Sequence, residues 1–408
     1  MNDSFSFEKK SFSLRDKAFI SDPYPWYSWM RHNAPFLETY GLILISRHID
    51  VSSALINADL SPRSWTYHIN KTCENLQVPV PDKANKFIKL TLAALDEPWH
   101  SQWQAAMLKA FSAHLLGRLR LWAKEEVRRL LTGKERIDII NDCARFLWIR
   151  LFSRWMGLSQ EQQSVIENKL ASIRLFVDPG RLNKTNLSGA LYDLNDVIIM
   201  LEDAQENVNT SSDACFFSDL KSHGIPGPDF SKTDVAVMAA SILSGGGETT
   251  QALTGSLFYM LANNPSELKH IINNNKLITP TLNEVARLES PLQFTQRYAM
   301  KDTVVNDYTV KKGERLLLCL GSANRDESVF GDSANSFDIR RTNTSILTFG
   351  RGARHCIGSS LAKLQAEAVL LTFLEKNKHI KIENKLTVWQ TESALMRCLD
   401  TLIVKNNN

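Results

Sequence analysis

The sequence predicts a mainly α chain with a smaller β-rich region, and three observations predict it. The apolar period from Pro98 to about Asn264 is helical, a strand-rich stretch runs from Arg297 to Cys319, and a hairpin pattern lies near the N-terminus. Apolar residues at 43% and charged residues at 23% of the 408 describe an ordinary soluble globular protein, which excludes a collagen-like or largely disordered chain. Length alone suggests two or three domain-sized units at about 150 residues each, enough to bury a large cofactor. Lys and Arg total 48 against 44 Asp and Glu, and this balance of +4 lacks the basic excess of a dedicated nucleic-acid binder. The longest apolar stretch, Val235 to Leu243, is far short of the ~20 residues that cross a bilayer. The N-terminal segment MNDSFSFEKKSFSLRDK has charges and serines where a signal peptide would carry its apolar core, so a cytoplasmic protein without a membrane anchor is expected.

Taken in order, Pro23 to Arg31 starts like a helix with proline in its first turn, and Phe36 to Tyr40, Gly41, then Leu42 to Ser46 reads as a hairpin. Between Leu60 and Asp96 the pattern lapses into Pro, Ser, Asn and Lys around isolated aromatics such as Trp65 and Tyr67, which reads as a long irregular connection. Helical segments follow near 98–115, 118–132, 137–156, 159–175, 188–206 and 231–263, with Ser159 and Gln162 as a capping box. The last of these, opened by Ser231 and closed before Asn264 and Pro265, spans about 50 Å at ~1.5 Å per residue. Further helices are expected at 267–275 and 281–289. The strand-rich stretch turns at Asn306 and Asp307, and a helix after Cys356 places Leu361, Leu364, Ala368 and Leu371 on one face.

Six cysteines, at 73, 143, 215, 319, 356 and 398, form no CxxC pair, so neither a zinc knot nor a disulfide framework is indicated. Only Cys356 sits among residues that point to chemistry. It closes the segment Phe349-Gly-Arg-Gly-Ala-Arg-His-Cys-Ile-Gly358, just before a helix N-terminus whose unpaired N–H groups and dipole favour a thiolate. Glycines at 350, 352 and 358 allow a tight loop that can press against a flat ligand.

The pattern Phe349-Gly350-x-Gly352-x-Arg354-x-Cys356-x-Gly358 resembles the cysteine-ligand loop of the cytochrome P-450 family, the soluble bacterial haem-thiolate monooxygenases. The resemblance implies haem b, iron protoporphyrin IX, with the Cys356 thiolate as axial metal ligand and Arg354 on a propionate; His355 reads as an exposed loop residue. Glu284-Val-Ala-Arg287 resembles the family's ExxR pair, and Arg341 in Phe337-Asp338-Ile-Arg-Arg341 matches the arginine that completes that network, with Ala323-Asn324-Arg325-Asp326 between them. Ser244-Gly-Gly-Gly-Glu-Thr-Thr250 resembles the oxygen-binding motif. By that match Gly245 and Gly246 widen the groove over the iron, Glu248 is the acid, Thr249 is the hydroxyl beside bound oxygen, and Thr250 packs. Three successive glycines cost a helix about 2–3 kcal/mol against alanine, so they need such a reason.

One departure stands out. The family commonly has His-x-x-x-Arg before the first long helices, both reaching propionates, whereas this chain has His100 and Gln104. Losing that charge-assisted bond, worth about 1.5–3 kcal/mol, shifts haem retention toward Arg297 and Arg354, and Arg297 lies in a segment that resembles another propionate-binding stretch.

The resemblance covers nearly the whole chain and implies a single triangular fold over 1–408, with 60–96 and 165–200 as substrate-access regions. It implies dioxygen activation and hydroxylation or epoxidation of an apolar or aromatic small molecule, free or tethered to a carrier protein, in specialised (secondary) metabolism. A pocket drawn by analogy uses Ala240, Leu243, Gly247, Leu292, Phe294 and Met396. No Gly-rich dinucleotide fingerprint and no Cys cluster is present, so electrons are expected from a ferredoxin or flavodoxin with its reductase, docked on Arg351, Lys363 and Lys109. The same cysteine loop also serves phenol or aryl coupling and peroxide-driven oxidation. A non-catalytic partner protein of the same fold would have lost the ligand cysteine, which this chain keeps.

Overall fold

Ser231 caps the longest helix of the molecule, Lys232–Asn263: its hydroxyl accepts from the Asp234 amide at 3.2 Å while the Asp234 carboxylate accepts from the Ser231 amide at 2.8 Å. Pro265 ends it and opens the next helix, Pro265–Asn273. The protein is described here from a computed structural model over residues 13–39, 41–206, 216–223 and 230–406. Most of the N-terminal segment read as lacking a signal peptide, together with Tyr40, Cys215 and the end of the C-terminal tail, lies outside the described residues.

The long helix is apolar on nearly every side because neighbours surround it. Helices Asp82–Leu90, Arg145–Met156, Leu187–Glu206 and Ser359–Leu374 pack against it and form one large core. No helix of the described residues is long and apolar enough to cross a membrane.

The β-rich part is a five-stranded sheet in the order Phe36–Thr39, Leu42–Ile45, Arg315–Cys319, Phe294–Ala299, Leu60–Ser61. The N-terminal hairpin forms as expected, with Phe36 opposite Ile45, and its second strand pairs in parallel with Arg315–Cys319. Asn306, at φ +48°, makes the turn between the short strands Thr303–Val305 and Tyr308–Val310. The C-terminal strands Val388–Trp389 and Leu399–Thr401 pair with each other, and Ile403–Lys405 pairs with Arg136–Asp138.

Three expectations need correction. The stretch 60–96 is not irregular: it holds helices Ser64–Leu76 and Asp82–Leu90. Ile69 and Cys73, and Ala84, Phe87 and Ile88, recur at helical spacing and are all buried, so tertiary burial stabilises segments whose polar majority hides the period. The segment 98–115 breaks at Phe111, because Ser112 caps a new helix, Ala113–Leu131, through its hydroxyl and the Leu115 amide at 3.1 Å. The segment 137–156 starts as strand and a wide π-type turn, Ile139–Ala144, before Arg145–Met156 becomes regular. The Asp138 carboxylate caps that turn at the amides of Ile140 and Asn141.

Candidate active site

Two glycines in the left-handed region fold the cysteine loop. Gly350 has φ +72° and Gly352 φ +68°, and a Cβ at Gly350 would stand 3.1 Å from the Arg354 carbonyl. The loop closes with the Cys356 amide donating to Phe349 O at 2.8 Å, which puts the cysteine at the head of the Ser359–Leu374 helix. Among the described residues Cys356 is the exposed free cysteine; Cys73, Cys143, Cys319 and Cys398 are buried. Although its side chain is accessible, the protein atoms packed around it desolvate the thiol and push it up, while the amides of Gly358 and Ser359 and the ammonium of Lys363 pull it down. His355 is exposed, as expected.

Behind the loop, Glu284 and Arg287 are joined by two bonds of 2.7 and 2.8 Å, and Arg341 donates to both Glu284 oxygens at 3.1 and 3.2 Å. Arg287 is fully buried and also donates to the carbonyls of Asn324 at 2.8 Å and Ala334 at 2.6 Å. The Asn324 side chain binds Ser290, Thr348 and the Leu347 amide, which ties the Ile278–Leu288 helix to the start of the cysteine loop. These charges are satisfied from both sides, so the network fixes backbone rather than doing chemistry.

A basic cluster flanks the loop. Arg297 is buried, donates to Gln296 O at 2.7 Å and Thr295 at 3.5 Å, and its guanidinium is lowered to about 10 by burial and by the nearby Arg354. Arg354 donates to Leu95 O at 2.7 Å and lies 3.8 Å from Asp96. His100 is buried with its Nδ1 3.4 Å from the Glu97 carboxylate, and burial and Arg354 lower its pKa against the pull of Glu97 and Asp96. Buried cations that repel one another are stabilised by a bound anion, and the carboxylates of a haem are anions of the right kind, so the residues present fit that cofactor. Gln104 is not part of this set. Its amide donates to Ala353 O at 2.7 Å, which makes it a strut between the Trp99–Ala110 helix and the cysteine loop rather than a weakened anchor.

Along the long helix Ser241, Gly245 and Thr249, one turn apart, form a stripe in which Gly245 is exposed and the other two are half-buried, and the Thr249 hydroxyl donates to Gly245 O at 2.7 Å. Thr250 is buried and packs, as expected. Gly246, expected to widen the groove, instead accommodates Trp148: a Cβ there would meet the indole at 2.6 Å. Gly247 faces the same ring at 3.3 Å, so it does not line an open pocket. Ala240 and Leu243 are buried, and Phe294 packs into the N-terminal core against Phe19 and Tyr27. Strand alternation explains the last correction, since Arg297 shares its face with Thr295 rather than Phe294. Leu292 is half-buried beside the buried Met396.

Glu248 is buried, and burial raises its carboxyl above the usual range. One oxygen meets Arg181 at 3.2 Å, the other has no partner, and Arg181 also reaches the exposed Glu392 at 2.9 Å. Arg181 and Trp148 escaped sequence reading because both lie outside motifs; for Trp148 the only signal was three glycines in need of a large neighbour. The expected docking cations are partly engaged: Arg351 bonds Ser52, and Lys363 sits 4.8 Å from the Phe349 ring centroid.

The comparisons with known proteins bear on the family and the fold. The Cytochrome P450 family model matches residues 137–396. The biotin biosynthesis cytochrome P450 of Bacillus subtilis is 25% identical over 378 residues, covering 89% of this chain and 91% of that protein. Cytochrome P450 130 of Mycobacterium tuberculosis is 23% identical over 401 residues, covering 95% and 96%. Among solved structures, P450BioI in complex with hexadec-9Z-enoic acid ligated acyl carrier protein superposes with a TM-score of 0.84 at 22% identity, covering 96% of this chain and all of that one. Epothilone B-bound P450epoK superposes at 0.86 and 20% identity, covering 98% and 100%. The chain belongs to the cytochrome P450 family, the haem-thiolate monooxygenases.

Proposed function

We propose that the whole chain acts as one haem-thiolate unit that hydroxylates or epoxidises an apolar or aromatic small molecule of specialised metabolism, with Cys356 as the iron ligand. The observation that carries this reading is the exposed Cys356 at the head of its helix, in a loop closed on Phe349 O. Arg297, Arg354 and His100 hold the propionates. When bound, the haem supplies the activation of dioxygen and the transfer of an oxygen atom.

The protein's own part is to hold protons and exclude water. Thr249 keeps its hydroxyl proton on the carbonyl of the exposed Gly245, and a rotation of its side chain presents that proton to a ligand lying there. Glu248, its carboxyl raised by burial against the pull of Arg174 and Arg181, has one oxygen held by Arg181 and the other free to take up or deliver a proton. The access regions 60–96 and 165–200 meet where the Trp65 indole donates to Phe176 O at 3.0 Å, beside Phe87. This aromatic contact supports an apolar substrate. A ferredoxin or flavodoxin supplies the electrons, and a carrier-tethered acyl chain, like that on the carrier protein bound to P450BioI, is one form the substrate takes within this class.

Reduced protein exposed to carbon monoxide tests the ligand: the red-shifted band of thiolate ligation is expected, and Cys356→Ala abolishes it. Labelled dioxygen tests the chemistry, since oxidative coupling would leave the label in water.

A further inference from the structure

The triple-glycine segment has two faces with different neighbours. A Cβ at Gly245 would meet nothing within 4 Å, and this exposed residue lies one turn before the half-buried Thr249. Gly246 and Gly247 turn the other way, onto the indole of Trp148, where a Cβ would come within 2.6 Å and 3.3 Å of ring atoms. The same indole donates its N–H to the Leu243 carbonyl at 2.9 Å. In a regular helix that carbonyl accepts from residue 247, so Trp148 adds a second donor to an oxygen that has two lone pairs.

Trp148 is itself rigidly held. It is buried on the Arg145–Met156 helix, with Phe152 one turn away at 5.8 Å between ring centroids. Its ring takes the volume that side chains at 246 and 247 would fill, and its N–H fixes the carbonyl at the start of the turn that carries Gly245. We infer that Trp148 is a positioning residue: its indole sets the path of the long helix through 243–247 and thereby the placement of the Gly245 carbonyl and the Thr249 hydroxyl on the opposite face. Gly246 and Gly247 are then required by the neighbouring helix, and Gly245 alone by the open side. Glycines loosen a helix, and the indole restores the rigidity they remove. The inference rests on the reading of Thr249 as the proton-holding hydroxyl, because only then does its placement matter to the reaction.

Trp148→Phe removes the N–H and keeps an aromatic ring, and Gly247→Ala presses a methyl on the ring without removing the bond donor. The haem-loaded variants are compared with the parent protein by the C–O stretch of the ferrous carbon monoxide complex, by hydrogen exchange of amides 244–249 and by thermal unfolding. Expected are a shifted or split C–O stretch in both variants, and exchange about tenfold faster at those amides in Trp148→Phe. A C–O stretch and local exchange identical to the parent protein, with only the unfolding temperature lowered, would reduce Trp148 to core filling and overturn the inference. If Trp148→Phe does not load haem, Gly247→Ala decides alone by the same two readouts. Absence of the thiolate band in the parent protein is a different failure, that of the haem-ligand reading itself.

Discussion

Gln104 donates its side-chain amide to the backbone carbonyl of Ala353 at 2.7 Å, tying the helix that carries His100 to the loop that carries Cys356. A neutral residue at the place of the family's arginine has therefore a partner of its own.

Gln104→Arg is expected to give no gain in haem retention, and to lose about 0.5–1.5 kcal/mol of stability with the lost strut. Haem transfer to an apo-globin acceptor, followed beside denaturant unfolding, checks both. Slower haem loss from the variant would mean that the guanidinium finds a propionate after all.

Arg287→Met leaves Glu284 with Arg341 and the Asp338 amide and removes the donors of the Asn324 and Ala334 carbonyls. Breaking a buried pair on one side costs about 3–5 kcal/mol, a large share of the stability of a folded protein. Expression should yield little haem-loaded protein, and the yield of thiolate-type carbon monoxide complex measures it.

Glu248→Gln keeps the shape and removes the titrating proton. Turnover of an identified substrate is expected to fall by about 10²-fold with substrate binding unchanged, as for loss of a general acid. Steady-state rates beside spectral binding titrations separate the two effects. Equal rates would take Glu248 out of the proton path.

Burial lowers His48 and His68 below the usual histidine range. Below about pH 6.5 the unfolded chain therefore binds more protons than the folded one, and stability falls as the pH drops until the folded-state histidines also titrate. Urea midpoints at a series of pH values check the sign, and His48→Gln should flatten the slope by up to about one proton.

How much of this was legible in the sequence follows from the range of the interactions involved. Cys356 and its loop, the Glu284–Arg287 pair and the caps at Ser159 and Ser231 depend on residues a few positions apart, so local spacing carries them. The helices at 64–76 and 82–90 were hidden because their period covers only a few buried side chains, such as Ile69 and Phe87, among polar neighbours. The direction of each glycine in 245–247 could not be read from the segment, since it depends on Trp148, about a hundred residues earlier in the chain. The partner of Gln104 and the anchor of Glu248 at Arg181 are likewise long-range. The sequence by itself determined the family, the cysteine loop at 349–358 and most of the helices and strands, because each rests on short-range backbone geometry and residue chemistry. Only the tertiary structure decided which face of the long helix is open and what holds it there, because that follows from the shape of a side chain packed against it from another helix.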